Sequence, residues 1–460
     1  MKLILQLICA NLLASCSGPE PAGLDGKDLI VLSIDTLRAD RLPFYGAERE
    51  TAGNPREKWS LAWIAANGRV YDQVWAPASM TRPSFASLWT GKHALEHGTV
   101  GNHQMVTAPL LSEELVADGY QGTAAVANWV LRPESGLGRG FDYYDLFLSH
   151  KEPGIPRAVI REITGGIHAS EKQFIWAHFM APHQPYTPNN KFRNVFVDTS
   201  GIKGDKKTLA QLHRAPNEFG AAQVEQLRAL YDGEILTTNE YVVKLLSGIE
   251  KLYQAAGRGD LLDNAVIVMV SDHGEELAYH ENYFMHSKSL YAGVTQVPLV
   301  IIGNGFEVGR HTTPIGIEEV LPLVINGTLP DSDFFVATWH NRFFVARDSR
   351  YTLIHNPAQN QHGPSEPPGD VDFYYPPIAL FDREKDPLEL NDISQEFPEI
   401  TRAMMRKLVE WHAIHAIGDS TQEELNADDA AKLAELGYAS ATEDVDVDDY
   451  APWPPERWDG

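Results

Sequence analysis

Continuous apolar runs rich in β-branched residues constrain this chain more than any other feature. Leu29-Ile30-Val31-Leu32-Ser33-Ile34 follows Asp28, and similar runs recur at Gln173–His178, Ala265–Val270 and Val297–Ile302. A strand with one solvated face alternates polar and apolar residues. An unbroken run is expected where both faces are covered, as in a parallel sheet between helices. Helical spacing fills the intervals: Val224, Leu227, Leu230, Ile235, Val242, Leu245, Leu246 and Ile249 recur near every 3.6 residues and predict a long amphipathic helix. Strands alternating with helices predict an α/β fold with a mostly parallel central sheet and helices on both faces. The Pro-, Gly-, Gln- and Asp-rich stretch Pro357–Pro377 predicts a loop or insertion. A short strand near 378–382 and an amphipathic helix near 399–412 then predict a small C-terminal α+β subdomain. The expected division is a main domain over 28–355, that subdomain over 356–420, and a tail over 421–460.

Charge narrows the function. Lys plus Arg number 38 against 63 Asp plus Glu, a net charge of −25, so no nucleic-acid partner is expected. The last forty residues hold twelve acids against Lys432 and Arg457 and predict a solvated acidic segment. Cys9 and Cys16 are the two cysteines, which excludes a disulfide framework and a thiolate-bound metal in the body. Lys2 precedes a short apolar stretch of secretory type, and no later run of about 20 apolar residues predicts a transmembrane helix. Leu13-Ala14-Ser15-Cys16 resembles a bacterial lipoprotein cleavage box. The resemblance implies a signal peptide over 1–15, a lipidated Cys16 and a tether over 16–27. Membrane contact would run through the lipid alone, on the periplasm-facing side of the cell envelope, with Ser17 resembling outer-membrane-directed examples.

The polar residues of interest sit where strands end, which is where ligands bind in open α/β sheets. Asp35 closes the first run. Thr81-Arg82-Pro83-Ser84 leads into a predicted helix, with Pro83 suited to the first turn. A helix N-terminus there would favour an anionic ester. Asp272-His273-Gly274 follows the most apolar run. Asp35, Asp272 and His273 form a hard, oxygen-rich donor set suited to Ca²⁺, Mg²⁺ or Mn²⁺, with Zn²⁺ possible. Each fragment alone is commonplace, since Asp, Ser and Thr at such places are usually helix caps.

Their order is more specific. Ile34-Asp35-Thr36-Leu37-Arg38-Ala39-Asp40, Thr81-Arg82-Pro83-Ser84 through Thr90-Gly91, Ala181-Pro182-His183-Gln184-Pro185-Tyr186, Ser271-Asp272-His273-Gly274 with Lys288-Ser289, and Leu380-Phe381-Asp382 with Asp386-Pro387 occur in sequence. This succession resembles the sulfatase family of the alkaline phosphatase superfamily over nearly the whole chain. The resemblance implies an alkaline-phosphatase-like α/β/α sandwich and one divalent metal held by Asp35, Thr81, Asp272 and His273. It also implies a nucleophile at Thr81, group-holding or proton-transferring roles for His183, His286 and Lys288, and a substrate-oxygen donor at Asn102. His286 and Lys288 compete for a single family position, and His280 is expected to be a loop residue.

Departures from the family pattern bear on the chemistry. Sulfatases convert a Cys or Ser in C/S-x-P-x-R to formylglycine; here Thr81 stands at the nucleophile, its β-carbon already bearing a methyl group, and Phe85 stands at the Arg position. Asn128-Trp129-Val130 replaces a sulfate-binding Lys-Trp-His segment, Thr36 replaces an acidic ligand, and Phe179 stands where a two-metal relative needs Asp. The leading expectation is a metal-dependent hydrolase of phosphate mono- or diesters acting through a covalent Thr81 intermediate on a small-molecule or envelope ester. A sulfuric ester hydrolase, an envelope phospho-headgroup transferase and an inactive binding homologue are the alternatives. No sequence feature speaks to oligomeric state.

Overall fold

The computed structural model describes residues 23–423 apart from 149–151, 281, 304, 341–342, 357–375, 416–417 and 419, together with 428, 429, 431 and 432. The expected signal peptide, Cys16, most of the Pro357–Pro377 segment and most of the acidic tail lie outside the described residues.

The strands in chain order are β1 (Asp28–Ile34), β2 (Arg69–Tyr71), β3 (Val74–Trp75), β4 (Gln121–Val126), β5 (Tyr143–Leu146), β6 (Gln173–Phe179), β7 (Ala265–Val270), β8 (Leu299–Ile302), β9 (Gly309–His311), β10 (Ile315–Gly316), β11 (Phe335–Trp339), β12 (Phe343–Arg347), β13 (Tyr351–His355) and β14 (Ile378–Asp382). Eight of them form the main sheet in the order β5-β4-β6-β1-β7-β8-β2-β9. β1 pairs in parallel with β6 and β7, and β8 runs antiparallel to its neighbours β7 and β2. The sheet is therefore mostly parallel, as the unbroken runs predict.

Five helices matter for the site: α1 (Thr81–Thr90), α2 (Ile155–His168), α3 (Ala221–Ala255), α4 (Ile317–Asn326) and α5 (Pro398–Ile414). Ile30, Leu32 and Ile34 of β1 pack with Val159 of α2 and Leu230 and Leu245 of α3. Leu29 and Val31, pointing the other way, pack with Phe85 and Trp89 of α1 and Val320 of α4. Successive strand side chains alternate faces, so two apolar layers require apolar residues at both parities. That explains why β1 shows no alternation. Among the described residues, no helix is long and apolar enough to cross a membrane.

The second sheet is antiparallel, in the order β11-β12-β13-β14, with Met404, Met405 and Leu408 of α5 packed on Phe344, Leu353 and Leu380. Three of its strands precede residue 356, so the smaller unit begins near Phe335 and the expected boundary falls inside it. The start of the tail is exposed at Thr421 and Gln422, as a solvated segment is, but it and the residues just before it are hydrogen-bonded to the rest of the chain. Gly418 N donates to Leu95 O (2.7 Å), Gln104 Nε2 to Ser420 Oγ (2.7 Å), Met105 N to Thr421 O (2.8 Å) and Glu423 N to His103 O (2.9 Å). Thr421–Glu423 is thus laid against the main domain.

Candidate active site

Parallel strands bring their C-terminal ends to one edge of the sheet, and the site is assembled there. Asp35 follows β1, and its N–H donates to Phe179 O at the end of β6 (2.9 Å). The Ser271 hydroxyl, just past β7, lies 2.7 Å from both Ile34 O and His273 O and accepts from Leu37 N (2.9 Å), tying the two strand ends together. Thr36 N donates to Asp272 Oδ1 (3.2 Å). To do so Thr36 adopts φ +53°, a left-handed conformation uncommon for a β-branched residue and held only where the surroundings impose it. Gly274 permits close backbone approach: a Cβ there would lie 2.3 Å from Gly293 O.

Thr81 is the first residue of α1, fully buried, with Oγ1 3.4 Å from His273 Nε2. Asn102 Oδ1 accepts from Arg82 N (2.8 Å), which fixes its amide beside Thr81, while its buried Nδ2 has no hydrogen-bond partner.

Asp35, Asp272 and His273 offer ligand atoms that all lie within 4.8 Å of one another, and all three are buried. Each carboxylate spends one oxygen on orientation. Asp35 Oδ2 accepts from Asn128 Nδ2 (2.6 Å) and lies 3.3 Å from His178 Nε2, whereas Oδ1 is buried without a hydrogen-bond partner. Asp272 Oδ1 takes Thr36 N, and Oδ2 is likewise buried without one. His273 Nδ1 lies 3.0 Å from the Gly274 carbonyl, which can only accept. In the neutral ring the proton therefore sits on Nδ1, and Nε2 turns a lone pair toward Asp272 Oδ2, 3.2 Å away. Two carboxylate oxygens without hydrogen-bond partners, gathered in a buried space with an imidazole nitrogen whose contact to Thr81 Oγ1 is long (3.4 Å), fit a divalent cation.

The electrostatics agree. Burial alone would raise Asp35, but the hydrogen bond from His178 and the neighbouring imidazoles outweigh it and hold the carboxyl below its usual range. Burial and the Asp35 carboxylate push Asp272 up to about 6. Two carboxylates sharing a buried site resist joint ionisation unless a cation intervenes.

Two further imidazoles complete the wall. The His183 ring packs on His286 (5.0 Å between centroids), and His286 packs on His273 (4.4 Å). His183 Nδ1 lies 2.6 Å from Gln184 O, so it donates there, and the buried Nε2 has no hydrogen-bond partner; burial lowers this histidine. His286 Nδ1 lies 2.8 Å from Glu275 Oε1, and Tyr186 donates its hydroxyl to the same carboxyl group. Burial drives Glu275 up and His286 down. Lys288 lies two residues beyond His286, half-buried; the intervening Ser287 O accepts from Ser79 Oγ (3.0 Å), which keeps this turn next to the segment entering α1.

Residues 27–326 match the family model described as Sulfatase. The chain belongs to the sulfatase family. Choline-sulfatase of Rhizobium meliloti is 24% identical over 245 residues, 47% of this chain and 45% of that protein. Arylsulfatase K of Mus musculus is 22% identical over 250 residues, 44% of this chain and 40% of that protein. The matches thus span less than half the length of these relatives. Among solved structures, BT4656 in complex with D-glucosamine-2-N,6-O-disulfate has a TM-score of 0.62 at 17% identity, covering 85% of this chain and 98% of that one. Phosphonate monoester hydrolase of Agrobacterium radiobacter has a TM-score of 0.61 at 16% identity, covering 88% and 99%. At such identities the likeness is one of fold.

The departures from the sulfatase pattern have structural counterparts. Phe85 is buried against Trp176 (5.2 Å) and His178 (5.0 Å), so an aromatic contact stands where the motif has a guanidinium. Asn128 holds Asp35. His280 is tied to Glu276 (2.9 Å) and Glu389 O (3.1 Å) and stacks on Tyr291, apart from the Asp35, Asp272 and His273 group, as expected of a loop residue.

Three contributors escaped sequence reasoning. His178 completes a relay in which Trp176 Nε1 donates to Ser33 Oγ (2.8 Å), Ser33 lies 3.0 Å from His178 Nδ1, and His178 faces Asp35. Its signal was the penultimate place in a strand whose register sets Ser33 beside His178. Glu275 had only its adjacency to the Asp-His pair. Glu423 had no signal. Its carboxylate pairs with buried Arg82 (2.9 Å), the residue after Thr81, and with Arg132, whose guanidinium covers Trp129 at 3.6 Å. Removing one partner from a buried ion pair leaves the others uncompensated, at about 3 kcal/mol. Glu423→Ala should therefore lower the thermal midpoint by several degrees in calorimetry. An unchanged midpoint would mean that these ion pairs hold nothing in place.

Proposed function

We propose that this sulfatase-family protein is a metal-dependent ester hydrolase that attacks phosphorus through the Thr81 hydroxyl. The observation carrying the reading is the placement of Thr81 Oγ1 at the start of α1, 3.4 Å from His273 Nε2 and beside the unsatisfied oxygens of Asp35 and Asp272. A divalent cation held by Asp35, Asp272 and His273 would favour the ionised hydroxyl and neutralise charge on the non-bridging oxygens. Thr81 Oγ forms the new bond to phosphorus as the bond to the ester oxygen breaks, and the alcohol leaves with a proton. Water then cleaves the threonine ester and releases phosphate. The Asn102 Nδ2 hydrogens are free to bind a non-bridging oxygen. The His183 Nε2 lone pair is suited to take a proton, and His286, backed by Glu275, to pass one to the leaving oxygen. Lys288, half-buried two residues beyond His286, is the remaining candidate to hold the transferred group.

Sulfate ester hydrolysis is the second reading, favoured by the sulfatase names of the sequence relatives. The Phe85 and Asn128 contacts favour the first, because Phe85 stands at the Arg of the formylglycine motif and Asn128 at the Lys of the sulfate-binding segment. In either case the Leu13–Cys16 box supports a lipid-anchored protein of the bacterial envelope. The test is hydrolysis of matched 4-nitrophenyl phosphate, phosphate diester, phosphonate and sulfate, with EDTA and then with added Mn²⁺, Ca²⁺, Mg²⁺ or Zn²⁺. Metal-dependent turnover of a phosphorus ester ahead of sulfate is expected. Preferred turnover of sulfate would replace the first reading by the second.

A further inference from the structure

We propose that the cavity beside His183 receives the alcohol portion of the ester, and that this portion carries a positively charged amine. The inference rests on the reading that the ester group itself sits at Thr81. The cavity has a volume of about 380 Å³, room for a body well beyond the ester group, and its walls include Trp129, Met180, Tyr241, Glu152, Glu234 and His183. It adjoins the reacting centre at two points. His183, whose buried Nε2 has no hydrogen-bond partner, is one of its lining residues, and Ala127 lines it next to the Asn128 that holds Asp35.

The lining chooses among alcohols. Glu234, on α3, is 4% exposed and accepts one hydrogen bond, from Thr187 N (2.5 Å). The charge acting on it is that of Glu152, of the same sign, and burial with that repulsion pushes Glu234 up to about 8. Glu152 is oriented by Met180 N (2.8 Å) and Ala181 N (3.0 Å), the backbone entering the His183 loop. A buried carboxyl held against a second carboxylate in a cleft is costly unless a ligand compensates it, and an ammonium does so. Aromatic faces add to the attraction for a cation. Trp129 illustrates this at the same wall, but with the protein's own cations: the Arg132 guanidinium covers its ring at 3.6 Å, and Nζ of Lys432, which also lines the cavity, lies 5.4 Å from it with Asp429 as ion partner (3.7 Å), so the two carboxyl groups carry the preference. A neutral polyol finds less, because the Thr237 hydroxyl already donates to Gly233 O and accepts from Asn189 N.

Calorimetric titration of the full chain with tyramine, and with its neutral isostere 4-propylphenol, tests the inference without requiring turnover. Tyramine should bind at least tenfold more tightly. Glu234→Gln should reduce it to the affinity of 4-propylphenol, with the circular dichroism spectrum unchanged. Thr81→Ala should bind tyramine like the parent, so a failure of the nucleophile assignment leaves this result standing. Equal affinities for the two phenols, no binding of either, or undiminished tyramine binding by a folded Glu234→Gln would overturn the inference.

Discussion

Thr81→Ala is expected to abolish turnover of the best ester in the panel while leaving a folded, metal-binding protein. Loss of a covalent nucleophile costs roughly four orders of magnitude or more in kcat, because the remaining binding groups cannot supply the missing bond. The substitution should spare the fold. Thr81 stands at the first position of α1, where the helix needs no side-chain cap from it, and the larger contacts of that helix come from Phe85, Leu88 and Trp89. The thermal midpoint should stay within a few degrees of the parent. Thr81→Ser separates hydroxyl chemistry from packing. It restores an oxygen at the same position, and Phe85 still replaces the motif Arg, so activity should return in part without conversion of the side chain to an aldehyde. After quenching in acid, a phosphorylated Thr81 should be found by mass spectrometry in the parent and be absent from Thr81→Ala. Undiminished turnover in Thr81→Ala would remove it as nucleophile and leave water as the attacking group.

How much of this the sequence shows depends on whether a residue's neighbours are set by local pattern or by the assembled sheet. The runs in β1, β6 and β7 are legible because both faces of those strands meet apolar layers. Asp35, Asp272 and His273 are legible because each closes such a run, and strand ends are where a parallel sheet gathers polar residues. Thr81 is legible from the helix that follows it. His178 is not: it comes to face Asp35 only through the parallel register of β6 on β1. The boundary near Phe335 is equally hidden, since β11 to β13 look like further strands of the main sheet until their antiparallel pairing with β14 is known. Glu423 is the extreme case. An acidic, Pro-containing tail reads as solvated, yet one of its carboxylates neutralises two guanidiniums, Arg82 lying 341 residues earlier. Composition averages over a segment, whereas a single buried ion pair is decided by one residue.

Asp272→Asn should show that the cluster is a cation site and not merely a buried hydrogen-bond network. Outer-shell substitutions around bound metals already cost 10–100-fold in affinity, so removing the charge of a direct ligand should weaken binding by more than about 100-fold. Calorimetric titration of EDTA-treated protein with Mn²⁺ or Ca²⁺ reads this directly. Retained affinity would mean that Asp272 is not a ligand. The metal-free proteins offer an independent check through pH. Folding raises Asp272 from 3.8 to about 6, through burial and the charge on Asp35. Between those values the unfolded chain has released the proton and the folded chain has not, so rising pH favours unfolding. In EDTA the parent should therefore lose stability relative to Asp272→Asn as pH climbs from about 4 to 6, and the difference should level off above that. Saturating metal should reverse the order, because a cation that binds only the folded parent stabilises it while leaving the variant little changed. The two effects have opposite signs at one carboxylate. A purely structural aspartate would show loss of stability on substitution in both conditions, and that result would remove Asp272 from the ligand set.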